Sequence, residues 1–241
     1  MNLILDIGNS RVKVAVVAGD RVLDYAAKDD YDVEVVKNFV EKYDISRSIV
    51  SSTRGQQTEV VESVRKEVGH CLFFGADVAV PLRVSYATPR TLGRDRLAAA
   101  VGAREVFGEG DMLIVDFGTA ITIDLVTREG GFEGGVISPG LALRFRALHE
   151  FTAALPMCSA SDEQLEVART TKDAIVQGVM NGVSYEIEGY ISRFLQKYDK
   201  LSVIFVGGDA KFFEKRIKNT IFANRELLFR GLSRILDYNA E

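Results

Sequence analysis

Leu3-Ile4-Leu5-Asp6-Ile7-Gly8-Asn9-Ser10, at the start of the chain, is answered near the middle by Leu113-Ile114-Val115-Asp116-Phe117-Gly118-Thr119-Ala120. Each is an apolar run ending in Asp-x-Gly and a small residue, and each is followed at once by a second strand-like stretch, at 11–17 and 120–126. Each copy therefore reads as a β-hairpin whose tight turn carries a carboxylate, a glycine and hydroxyl or amide groups. Glycine lets backbone N–H groups come close to an anion, and small polar side chains can bond phosphate oxygens. A carboxylate beside polyphosphate repels it unless a cation lies between them, so Asp6 and Asp116 are candidates to position Mg²⁺ or another metal. Two such hairpins facing each other across a cleft would grip a nucleoside triphosphate from both sides.

One copy alone says little, because Asp-x-Gly turns between strands arise for local reasons. The pair, 110 residues apart, says more. Roughly 100 residues is what each half of a duplicated fold needs to hold its own core. The surrounding pattern repeats as well. Strands are expected at 2–6, 11–17 and 21–26, a helix at 33–43, a strand at 48–52, a helix at 57–68 and a short strand at 71–74. The second half gives strands at 112–116, 120–126 and 131–137, and a helix at 141–151. A long helix from 171 to about 198, a strand at 202–206 and terminal helices near Lys211 and Glu226 follow. The expected architecture is α/β, with one domain over 1–110 and a second over 111–241.

Composition narrows the class. With 241 residues, 47% of them hydrophobic, the chain can bury two modest cores. No run approaches the 18 or so apolar residues of a membrane span, and the start lacks a basic region and places Asp6 where a signal peptide would be apolar. A soluble, cytoplasmic protein is expected. The net charge of −4 disfavours a nucleic-acid surface, which needs a basic stripe. Cys71 and Cys158 lack CxxC spacing and read as reduced thiols, and His70 and His149 are solitary.

The segment between the halves, Tyr86-Ala87-Thr88-Pro89-Arg90-Thr91-Leu92-Gly93-Arg94-Asp95-Arg96, is the most chemically loaded. Pro89 and Gly93 interrupt regular structure, and the alanine-rich helix at 97–107 begins close to Asp95. Asp95 then either complements the helix dipole or acts as a general base beside an anion-binding pair of arginines. In the helix after Thr171, Ile175, Val179, Val183, Ile187, Ile191 and Phe194 recur at helical spacing, with Gly178 and Gly182 one turn apart. This is either a core helix or one approached closely by a second copy.

Taken together, DIGNSRVK (6–13), YATPRTLGRDR (86–96), DFGTAITID (116–124), GGVISPG (134–140) and VGGDA (206–210) resemble the type III pantothenate kinases, in order and spacing, over essentially the whole chain. That family belongs to the acetate and sugar kinase, heat-shock chaperone and actin superfamily, whose duplicated ribonuclease-H-like domains close on ATP. The resemblance implies ATP-dependent phosphorylation of pantothenate to 4′-phosphopantothenate, the first step of coenzyme A biosynthesis. It implies a first phosphate loop with Asp6, Gly8, Asn9, Ser10 and Lys13, where Ser10 replaces the commoner threonine, and a second with Gly118, Thr119 and Ala120. Asp6 would help place Mg²⁺, Asp116 would hold a monovalent cation (K⁺ or NH₄⁺), and Gly207 and Gly208 would lie against adenosine. Tyr86, Gly93, Arg94 and Arg96 would line the substrate pocket and Asp95 would be the base. Thr171 of a partner subunit in a homodimer would complete the pocket. A nucleotide-driven conformational protein of the same superfamily would keep both turns but has no need of LGRDR, and a transcriptional regulator is disfavoured by the acidic balance.

Overall fold

The structure is a computed structural model describing residues 1–129, 131–218, 221–222 and 226–240. The chain forms two compact units. The first begins with β1 (Asn2–Ile7), β2 (Val12–Ala18), β3 (Arg21–Lys28), α1 (Val33–Lys42), β4 (Arg47–Ser52), α2 (Thr58–Val68) and β5 (Cys71–Phe73). Its sheet order is β3-β2-β1-β4-β5, with β1 antiparallel to β2 and parallel to β4. Strand alternation divides the residues between two faces. Leu3, Leu5 and Ile7 of β1, with Val12, Val14 and Val16 of β2, pack on Val36 and Phe39 of α1 and on Val61 and Val64 of α2. Asn2, Ile4 and Asp6 point to the opposite face. Beyond β5 come β6 (Arg83–Val84), a 3-10 turn at Pro89–Thr91 and α3 (Arg94–Phe107).

The second unit contains β7 (Asp111–Phe117), β8 (Ala120–Val126), most of β9 (Gly131–Pro139), α4 (Leu141–Glu150), α5 (Thr171–Leu195), β10 (Leu201–Val206) and β11 (Ile221–Phe222). The order β9-β8-β7-β10-β11, antiparallel between β7 and β8 and parallel across β7, β10 and β11, repeats the first sheet strand for strand. The chain is thus two ribonuclease-H-like domains, the duplicated α/β architecture expected from the repeat and the fold implied by the family resemblance. Leu113, Val115 and Phe117, Ile121 and Ile123, and Val203 and Phe205 form a core with Phe145 of α4 and with Ile175, Val179, Val183, Ile187 and Ile191 of α5. The apolar stripe of α5 is therefore consumed by its own unit. Among the residues α5 leaves outward are Ala174, Gly178, Tyr185 and Gly189, with Gly182 half-buried in the same stripe.

The chain returns to the first unit twice, where the sequence reading gave 111–241 to the second. Thr127–Gly134 belongs to the first unit because Arg104 of α3 donates to the carbonyls of Thr127 and Arg128, and because the start of β9 pairs with β6. The C-terminal helix α6 (Glu226–Tyr238) belongs there too, crossing α3 at two glycines. A Cβ at Gly102 would sit 2.0 Å from the Leu227 carbonyl oxygen, and one at Gly231 would sit 1.9 Å from that of Ala98. Asn2 ties β1 to α6 through Ser233 Oγ and Asp237, both at 2.9 Å. Near Lys211, where a helix is expected, only a 3-10 turn at Ala210–Phe212 forms. The helix-like spacing there reflects Phe213 and Ile217, both buried in the core.

Candidate active site

In the first unit, β1 carries Asp6 opposite Lys13 of β2 and Ser51 of β4, so the three side chains leave the sheet on one face in a row. Asp6 is 3% exposed, and Lys13 Nζ lies 3.2 Å from its Oδ2. Burial pushes the Asp6 carboxyl above its ordinary range; Lys13 opposes the shift and the charge of Asp95 adds to it. The hairpin turn closes tightly, Gly8 N–H donating to the Arg11 carbonyl at 2.9 Å, with Asn9 and Ser10 exposed. Arg54, absent from the sequence reading, straps this turn from outside. Its Nε donates to the Gly8 carbonyl at 2.8 Å and its Nη2 to that of Asn9 at 3.2 Å, while Nη1 reaches Asp30 at 3.3 Å. No local pattern could have signalled it, since the two turn carbonyls it holds lie 46 and 45 residues earlier in the chain.

Asp95 stands in the first turn of α3, one turn earlier than the alanine run suggests, behind Gly93 as N-cap. Its Oδ1 accepts from the Arg96 backbone N–H at 2.9 Å, and a Cβ on Gly93 would meet that same oxygen at 2.5 Å. Glycine at 93 is what lets the carboxylate fold back over the helix start, and Oδ2 makes no hydrogen bond among the described residues. Arg96 is 6% exposed, its guanidinium 5.8 Å from the Tyr86 ring and 5.6 Å from that of Phe132. Gly134, at φ +104°, leaves room for Tyr86, whose ring is 3.2 Å from where a Cβ would be. Arg94 turns the other way, donating to the carbonyls of Leu92 at 3.1 Å and Pro89 at 2.5 Å. The first unit so brings Asp6, Lys13, Tyr86, Gly93, Asp95 and Arg96 to one end of its sheet and uses Arg94 to hold the loop.

In the second unit the turn after Asp116 is gripped from two sides. Gly140 N–H donates to the Thr119 carbonyl at 3.1 Å, and a Cβ at Gly140 would lie 2.3 Å from the Gly118 oxygen. Gly207, at φ +95°, packs so closely that its Cβ would meet Asp116 Oδ1 at 2.4 Å and the Phe117 backbone at 2.6 Å. The segment at 207–208 and the turn at 118–120 thus adjoin, with Gly207, Gly208 and Thr119 exposed. Asp209, beside them, is raised by burial and lowered by Lys211. In the row of Asp116 stand Thr122 and Val206, where the first unit has Lys13 and Ser51.

Thr171 stands in the first turn of α5, where it lines a groove of about 640 Å³ with Arg144, Leu148, Ile175 and Gly178. It does not cap the helix. Thr170 does, its Oγ accepting from the Asp173 N–H at 3.1 Å and donating to the Asp173 carboxylate at 2.7 Å.

A buried carboxylate whose charge is disfavoured, beside another carboxylate and next to a buried serine hydroxyl that has no hydrogen-bond partner among the described residues, suits a hydrated divalent cation. No group of three His, Cys, Asp or Glu side chains forms a metal cage among the described residues.

Comparison with known proteins identifies the family. A family model described as type III pantothenate kinase matches residues 2–193. A type III pantothenate kinase of Bacteroides fragilis is 38% identical, covering 99% of this chain and 98% of its own length, and one of Porphyromonas gingivalis is 39% identical with the same coverage. Among solved structures, the ADPNP-bound activator of the 2-hydroxyisocaproyl-CoA dehydratase from Clostridium difficile shares the fold at a TM-score of 0.60 and 13% identity, covering 99% of this chain and 95% of that one.

Proposed function

The chain belongs to the type III pantothenate kinase family, and from that premise we propose a role for each residue of the two turns and of the segment 86–96. The enzyme transfers a phosphoryl group from ATP to pantothenate, the entry to coenzyme A biosynthesis. The observation that carries the assignment is the buried Arg96 guanidinium between Tyr86 and Phe132, one residue from Asp95. Pantothenate offers a carboxylate and a primary hydroxyl. Arg96 pairs with the carboxylate, more strongly for being out of water. Tyr86 and Gly93 shape the pocket, and Arg94 fixes the loop that delivers them.

Asp95 accepts the hydroxyl proton on Oδ2 while the Arg96 N–H holds Oδ1 in place. The transition state is loose, so the base acts late and chiefly orients the hydroxyl in line with the γ-phosphate. Lys13, Asn9, Ser10 and the N–H groups of the Gly8 turn bind phosphate oxygens, as do Gly118, Thr119 and Ala120 of the second turn. Asp6 would hold Mg²⁺, which when bound neutralises charge on the phosphates. Asp116 would hold a monovalent cation, K⁺ or NH₄⁺, and Gly207 and Gly208 would let adenosine lie on backbone. The enzyme works in the cytoplasm as a homodimer, its copies meeting along the outward face of α5, with Thr171 reaching the partner's pantothenate. No described helix is long and apolar enough to cross a membrane.

Turnover of ATP with and without pantothenate is the direct test. We expect ADP release that depends on pantothenate and is abolished in Arg96→Met. Pantothenate-independent hydrolysis, equal in both proteins, would instead favour a nucleotide-driven conformational role.

A further inference from the structure

Of the serines of β4, Ser48 Oγ donates to the His70 carbonyl at 2.7 Å and Ser52 Oγ accepts from the Arg54 N–H at 3.0 Å. Ser51 is fully buried, and its Oγ has no hydrogen-bond partner among the described residues. A buried hydroxyl left unsatisfied is a standing cost to the fold, and such a group calls for an explanation. Its position supplies one. Ser51 is registered on Asp6 across the parallel pair of β1 and β4, so both side chains leave the same face of the sheet on strands about 4.8 Å apart. On its other flank Asp6 is bridged by Lys13; on the Ser51 flank carboxylate and hydroxyl are near but not bonded. The row reads cation, carboxylate, open hydroxyl. The duplicated row in the second unit reads Thr122, Asp116, Val206, with no hydroxyl in the place of Ser51.

We propose that Ser51 is a positioning residue for the divalent metal at Asp6, its hydroxyl hydrogen-bonding a water in the metal's hydration shell. The inference rests on the assignment of Mg²⁺ to Asp6. A neutral hydroxyl is a weak direct ligand, whereas Mg²⁺ keeps several waters that need acceptors and donors around them. An outer-shell partner fixes the direction of such a water, and losing one typically weakens a metal site about 10–100-fold. The absence of a hydroxyl at the position of Ser51 in the second row, where Val206 stands, fits a different cation there.

Calorimetric titration with a non-hydrolysable ATP analogue, once with Mn²⁺ and once metal-free in chelator, tests this through the ratio of the two affinities. Ser51→Ala should lower that ratio about tenfold, leave the metal-free affinity unchanged, and leave the thermal midpoint of the ligand-free protein equal or higher, since an unsatisfied group has been removed. An unchanged ratio in Ser51→Ala, with the ratio collapsing in Asp6→Asn, would overturn the role of Ser51 alone. An unchanged ratio in both would remove the metal from Asp6 and the inference with it. Ser51→Thr, which restores the hydroxyl, should recover the ratio if it folds with wild-type stability, and a Thr variant of that stability that behaves like Ala would also count against the proposal.

Discussion

Among the described residues Asp95 accepts one hydrogen bond, from a neighbouring backbone N–H, and no arginine side chain grips its carboxylate. A residue whose task was only to complement the helix dipole would be replaced by asparagine at a cost of about 0.3–1 kcal/mol in stability and none in rate. As general base it gives a different outcome: Asp95→Asn should keep nucleotide affinity and lower kcat about 10²-fold or more. Steady-state kinetics beside a nucleotide titration separate the two, and a near-normal kcat would return Asp95 to the helix start. Asp6 makes a prediction in pH. Its folded pKa is raised by burial, so the neutral form is favoured in the native state. The stability associated with that protonation is present below the unfolded value of about 4 and is lost as pH rises through the raised folded value. Asp6→Asn carries no such charge. In the ligand-free protein it should be more stable than wild type at pH 7 and should converge with it at pH 3 to 4, as followed by denaturant unfolding. A wild type at least as stable as Asp6→Asn at neutral pH would mean that the Lys13 pair outweighs burial.

Among the elements, α3 matters because it holds Asp95 and Arg96 at its first turn, and α6 holds α3. Their crossing leaves no room for a methyl group at Gly102 or Gly231. Gly231→Ala should therefore destabilise by about 1–3 kcal/mol, as overpacked cores do, despite alanine's better helix propensity. Thermal unfolding reads the sign, and an unchanged or raised midpoint would show that the helices can part at little cost. At the start of α5 two adjacent threonines should behave differently. Thr170→Ala removes the cap and should cost about 1 kcal/mol. Thr171→Val should leave stability nearly unchanged while raising KM for pantothenate far more than KM for ATP. Equal effects on both KM values would deny Thr171 a place at the substrate.

For the molecule as a whole, the test of a shared site is complementation. If each site takes Asp95 from one chain and Thr171 from the other, mixing Asp95→Asn subunits with Thr171→Val subunits should regenerate sites intact in both respects. Activity in the mixture that never exceeds the mean of the parents would show that the site is built within one chain. The paired turns make a second prediction at this scale. With Asp116 holding a monovalent cation, replacing Na⁺ by K⁺ at constant ionic strength should raise the rate, and Asp116→Ala should erase the difference. Equal rates in the two salts would remove the cation from that turn.

The order of strands and helices, the duplication and the candidate residues at both turns were legible in the chain, because each rests on short-range facts. Strand alternation, helix period and Asp-x-Gly chemistry act over a few residues and leave their mark locally. The family resemblance added identities to positions that were already chemically loaded. Which face of α5 would be free was not legible: one apolar period serves a core or a partner equally, and only packing sent Ile175 to Ile191 inward and left Gly178 and Gly189 out. Nor could sequence give the return of α6 to the first unit, the strap from Arg54, the turning away of Arg94, or the meeting of Ser51 with Asp6. Each joins residues through a contact or register whose energy depends on three-dimensional approach: a carbonyl in reach of a guanidinium, two glycines allowing helices to touch, two strands paired in register. Local preference fixed the elements, and long-range packing decided which side chains share a surface.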